Sequence, residues 1–142
     1  MRPNDILEPL VAAALKAQRS AYAPYSRHPV GAALMTGDGR VFAGCNVENA
    51  AFPSGLCAEA SAIAAMVAGG GRRIAHLVVA GPADVPCTPC GQCRQRIHEF
   101  ADPEETHITV VNRTGEVLLE TTIAELLPHA FGPENLPGGG KT

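Results

Sequence analysis

The apolar positions of this chain change period several times, and each change marks an element. Ile6, Leu7, Leu10, Val11, Ala14 and Leu15 recur at helical spacing with Lys16 and Gln18 among the later members, which predicts an amphipathic first helix ending near residues 22–24. Residues 30–35 and 41–43 are short apolar runs on either side of Gly37-Asp38-Gly39, a turn that favours positive φ, so a β-hairpin is expected. Residues 46–55 read as a structured loop. The alanine-rich run 56–68 closes on Gly69-Gly70-Gly71, the composition of a buried helix with a glycine stop. Residues 74–80 have strand character and end at Gly81-Pro82; a proline-rich loop follows, then a helix over 94–100. Strands at 107–111 and 116–119 flank a turn at 112–115, and residues 123–127 give a last short helix.

Five strands interleaved with helices predict a layered α/β domain. The 142 residues, 46% of them apolar, suffice for one core and not for two, so a single domain is expected over 1–132. Residues 133–142 read as a flexible tail rich in glycine and proline. Its ending, Gly138-Gly139-Gly140-Lys141-Thr142, is not a phosphate-binding loop: the first glycine of that motif falls on Asn135 and no helix follows.

Charge and cysteine content narrow the function classes. A net charge of −3, no run of Lys or Arg, and only two Tyr and four Phe disfavour a nucleic-acid polymer as partner. No apolar run reaches the length of a membrane span, and Met1-Arg2-Pro3-Asn4-Asp5 lacks the profile of a secretion signal, so a cytoplasmic protein is expected. The five cysteines are odd in number and clustered, which favours metal binding or reactive thiols over disulfides.

Two segments carry the chemistry: Cys57-Ala58-Glu59 and Pro89-Cys90-Gly91-Gln92-Cys93, each at the start of an expected helix. A Cys-x-x-Cys pair entering a helix puts both sulfurs beside free backbone N–H groups and the positive end of the helix dipole, which favours thiolate. With Cys57 there are three thiolates, and zinc prefers four ligands, so one position stays open to water. Three thiolates and a divalent ion sum to about −1, and such a centre needs positive potential nearby. Arg94, adjoining the last ligand, is a candidate to supply part of it. Glu59, two residues from a ligand, is placed to exchange protons with that water. Other readings stay open. Cys87 with Cys57, Cys90 and Cys93 would close a four-cysteine structural site, making the protein a non-catalytic zinc-stabilised binding module. An iron–sulfur reading fails because the next cysteine would fall at Ile97. Cys45, His76, His98, His107 and His129 are assigned no role.

The chain resembles the small cytidine deaminases of the homotetrameric, three-cysteine zinc type over nearly its whole length. The segments that carry the resemblance are Tyr22-Ala23-Pro24-Tyr25-Ser26, Pro29-Val30-Gly31-Ala32-Ala33-Leu34, Gly44-Cys45-Asn46-Val47-Glu48-Asn49-Ala50, Cys57-Ala58-Glu59, Pro89-Cys90 with Cys93-Arg94-Gln95, and Glu125-Leu126-Leu127-Pro128 with Phe131-Gly132-Pro133. The resemblance implies a three-layer fold with a five-stranded mixed sheet flanked by helices. It implies one zinc per subunit on Cys57, Cys90 and Cys93, and Glu59 as the proton carrier. Asn46 and Glu48 would grip the ribose hydroxyls, with Tyr25 nearby, Ala58 backbone against the base, and Phe52 and Phe131 reaching into a neighbouring subunit's site. The implied reaction is hydrolytic deamination of cytidine and 2′-deoxycytidine in pyrimidine salvage; deamination of a modified cytidine or a cytosine-containing antibiotic is the alternative. The chain departs from the family twice. Ala60 stands where an arginine commonly follows the glutamate, and His28 where a phenylalanine usually stacks on the base.

Overall fold

The computed structural model of the protein describes residues 3–139. Its helices and strands are α1 (Pro3–Arg19), β1 (Gly31–Thr36), β2 (Val41–Cys45), α2 (Ala58–Ala68), β3 (Ile74–Ala80), α3 (Gly91–Phe100), β4 (His107–Val111), β5 (Val117–Thr121) and α4 (Ile123–Leu126). The strands form one sheet in the order β2-β1-β3-β4-β5. β3 and β4 are parallel, with α3 in the crossover such a pair requires, and the other neighbours are antiparallel.

Alternation along the strands divides the apolar side chains between two cores. Ala32, Leu34, Leu77, Val79 and Ile108 face Ala62, Ile63 and Met66 of α2, Ile97 of α3 and Ile123 of α4. On the opposite face Ala33, Val78, Ala80 and Val111 meet Leu10 and Ala14 of α1. The sheet is therefore the middle of three layers, the α/β architecture expected. Central β3 is covered on both sides, with Leu77, Val78, Val79 and Ala80 all at 0% exposure. That double burial is why its sequence is a nearly unbroken apolar run, and each buried Leu or Val side chain contributes about 1.5–3 kcal/mol.

Two glycines let helices approach the sheet. A Cβ on Gly31 would lie 2.0 Å from the Ala14 carbonyl oxygen of α1, and one on Gly44 would lie 2.5 Å from the Ala62 nitrogen of α2. α1 stops at Arg19 rather than at 22–24 because Tyr22 is captured in extended pairing. Its N–H donates to the Asn46 carbonyl at 3.0 Å, and its own carbonyl accepts from Glu48 N–H at 2.8 Å. The segment read as a tail holds a 3-10 turn at Pro133–Asn135, where Gly132 N–H donates to Asn135 Oδ1 at 2.8 Å. Residues 140–142 lie outside the described residues. Among the described residues no helix is long and apolar enough to cross a membrane.

Candidate active site

Gly31 pairs with both Cys45 and Ala80, so the start of β1 and the ends of β2 and β3 lie side by side. From this end of the sheet the chain enters α2 and α3. Cys57 is the N-cap of α2 and Cys90 the N-cap of α3, both with extended backbone. Their carbonyls accept the first helical bonds, from Ser61 N–H at 3.0 Å and Arg94 N–H at 2.8 Å. Cys93 follows in the first turn of α3. The three Sγ atoms lie within 4.8 Å of one another. A tetrahedral zinc with Zn–S bonds of about 2.3 Å would set its sulfurs roughly 3.8 Å apart, so the donor set fits the ion. Cys87 is not part of this group; its Sγ lies 3.6 Å from His28 Nε2.

The electrostatics follow from burial and the helix ends. The Cys93 and Gln92 amides in the first turn of α3 lower the Cys90 thiol. Burial pushes Cys57 and Cys93 up, and the nearby Glu59 charge adds to both shifts. A divalent ion displaces protons from thiols held this way. Glu59, 6% exposed in the first turn of α2, has its carboxyl raised by burial, with the Arg96 charge acting in the opposite sense. Ala58, between Cys57 and Glu59, is buried.

The two arginines of α3 divide their work. Arg94 Nε donates to the Pro89 carbonyl and Nη1 to the Leu126 carbonyl, both at 2.8 Å, so Arg94 braces the loop that delivers Cys90 against α4. The guanidinium that reaches a sulfur is that of Arg96, whose Nη1 lies 3.5 Å from Cys93 Sγ. Sequence reasoning singled out Arg94 for its adjacency. The spacing of three residues from Cys93 to Arg96, one turn along the same helix face, was the available signal.

The loops before β1 and after β2 are latched together. Asn46 Oδ1 accepts from Val30 N–H and its Nδ2 donates to the His28 carbonyl, both at 2.9 Å. The Glu48 carboxylate accepts from Tyr25 N–H at 2.9 Å, from Ser26 N–H at 3.1 Å, and from the Ser26 hydroxyl. These bonds, the Ser26 hydroxyl first, hold it below the usual carboxylate range. Both side chains thus have backbone work of their own. Tyr25, Ser26, Glu48 and Phe52 line a cleft of about 390 Å³. Phe52 meets Tyr25 edge-on at 6.1 Å, and the Phe131 carbonyl accepts from Gln95 Nε2 at 2.8 Å. Phe52 and Phe131 are nevertheless 77% and 58% exposed.

Comparison with known proteins bears on this geometry. The family profile for the cytidine and deoxycytidylate deaminase zinc-binding region matches residues 5–109. The chain belongs to that family. A cytidine deaminase of Sporosarcina psychrophila is 43% identical over 130 residues, covering 92% of this chain and 94% of that one. One from Mycobacterium tuberculosis H37Rv is 42% identical, covering 87% and 88%. Among solved structures, the cytidine deaminase of Burkholderia pseudomallei superposes with a TM-score of 0.81 at 44% identity, over 87% of this chain and 98% of that one. That of Mycobacterium tuberculosis gives 0.76 at 38% identity, over 88% and 96%. The zinc-binding region of the family contains the Cys57, Cys90 and Cys93 cluster, and zinc is the metal these residues serve.

Proposed function

We propose that the protein hydrolyses cytidine and 2′-deoxycytidine to uridine and 2′-deoxyuridine with release of ammonia, in pyrimidine salvage. The observation that carries this reading is a buried carboxyl, Glu59, two residues from one of three converging cysteine sulfurs. Zinc supplies Lewis acidity when bound, lowering the pKa of a water at the position the cysteines leave open. Glu59 takes a proton from that water and passes it to N3 of the base. As the water oxygen bonds to C4, the C4–N4 bond breaks, the second proton goes to the amine, and ammonia leaves. A carboxyl raised by burial suits this shuttling, because it holds a proton more readily than an exposed one and so both accepts and returns it.

Asn46 and Glu48 are proposed to hold the sugar. After their backbone bonds the amide keeps an N–H and the carboxylate keeps lone pairs, enough to meet hydroxyls from two sides. Tyr25 and the Ala58 backbone flank the nucleoside. His28 and Cys87 offer a polar wall instead of an aromatic face, and this observation favours testing cytosines with modified rings as a second substrate class. The exposure of Phe52 and Phe131 leaves apolar surface for a neighbouring copy to cover, which supports a homotetramer whose sites are shared between neighbours. A thiolate centre among free cysteines suits a reducing, cytoplasmic compartment.

The test is the ultraviolet change and ammonia release when zinc-loaded protein meets each nucleoside, beside a panel of modified cytosines. No change with cytidine or deoxycytidine overturns the reading. Cys87→Ala separates it from a closed structural site: metal is retained if three cysteines hold the ion, and lost if four do.

A further inference from the structure

We propose that Arg96 offsets the negative charge of the thiolate centre, a positioning role exercised from α3 that keeps the metal a strong Lewis acid. The inference rests on the three-thiolate zinc reading above and goes beyond it. A divalent ion on three thiolates carries about −1 of formal charge, and electron density donated by the sulfurs weakens its pull on a fourth ligand. The helix N-termini supply partial dipoles only. A full positive charge comes from Arg96, whose Nη1 donates to Cys93 Sγ at 3.5 Å. That sulfur belongs to a residue at 0% exposure, so solvent cannot take over the duty.

Other guanidiniums are engaged elsewhere. Arg94 serves the Pro89 and Leu126 carbonyls, Arg72 those of Val67 and Gly71, and Arg40 pairs with Asp38 and the Gly69 carbonyl. Position 60, next to Glu59, is a buried alanine and brings no charge. Among the described residues Arg96 is the one cation hydrogen-bonded to a sulfur of the cluster. It is itself exposed, so replacing it leaves the core intact.

The test compares zinc-loaded wild type with R96Q and R96K, thermal melts confirming the fold. For R96Q, kcat falls roughly ten- to a hundredfold, the usual range for a residue behind a metal ligand, while KM changes little because Arg96 bonds to no sugar-loop residue. R96K returns the charge without the planar fork and recovers part of the loss. The cobalt(II)-substituted protein gives a readout independent of turnover. A sulfur deprived of its N–H donor holds its electrons less tightly, so the thiolate-to-metal charge-transfer band of R96Q moves to longer wavelength and that of R96K falls between. A band unmoved in R96Q overturns the inference whatever happens to kcat, and leaves the deaminase reading standing. A wild type that binds no metal and turns over neither nucleoside overturns the reading itself. Should R96Q misfold, the band of R96K against wild type decides.

Discussion

Glu59 and Cys57 are two positions apart at the head of α2, and that short separation gives them different tasks. Cys57 is the N-cap, and Glu59, inside the first turn, is buried and close enough for its charge to act on the Cys57 thiol. Glu59→Gln keeps the volume and removes the proposed proton carrier, so the variant is expected to retain one equivalent of zinc and lose roughly 10²–10⁴-fold in kcat, measured by metal analysis beside the deamination assay. That Cys57, Cys90 and Cys93 would meet was legible from sequence, because both segments carry their signal in local spacing. Arg96 was legible as a partner of Cys93 only through its spacing of three residues, a weak signal. An exposed arginine on a polar helix face is ordinary, and only the folded rotamer brings its Nη1 to the sulfur. The backbone duties of Asn46 and Glu48 were hidden for a related reason, since both depend on the 22–30 segment folding back over a neighbouring strand end.

At the scale of elements, most of the α/β order could be read from periodicity, and β3 was found with its bounds intact because Leu77, Val78, Val79 and Ala80 are buried on both faces, His76 is the only polar residue in the run, and Gly81-Pro82 stops it. The beginning of α3 lay three residues earlier than expected, at Gly91, since a cysteine N-cap is not among the residues that normally announce a helix. The close approach at Gly44 yields a directional prediction. Gly44→Ala drives a methyl into Ser61 and Ala62, pushing back the helix that carries Cys57 and Glu59, so both stability and zinc retention should drop, the former by roughly 1–3 kcal/mol or more. Gly31→Ala collides with α1 on the opposite face, so it should lower the melting temperature with less effect on the metal. β3 also carries a pH-sensitive group. His76, bonded to Thr109 at 2.9 Å, is lowered from 6.5 to about 4 by burial, with the neighbouring His107 adding to it. The unfolded chain takes up this proton at a higher pH than the folded one. The contribution is therefore complete above 6.5 and is lost as pH falls toward 4. Melts across that window should show a decline that is shallower in His76→Gln.

For the whole molecule, the uncovered rings of Phe52 and Phe131 set the expectation for assembly. Light scattering should give a tetramer for the wild type, and the Phe52→Ser/Phe131→Ser pair should shift it toward smaller species with a loss of activity per chain. A final consequence comes from the two N-caps. Positions 57 and 90 are 33 residues apart along the chain, yet one ion fastens both. Metal binding therefore ties off a long loop as a disulfide would, in a form that survives reductants, and the loop-closure entropy withheld from the unfolded state is worth about 3–4 kcal/mol. Stripping the ion with a chelator should accordingly depress the melting temperature by many degrees, and a phosphine reductant without thiols should not.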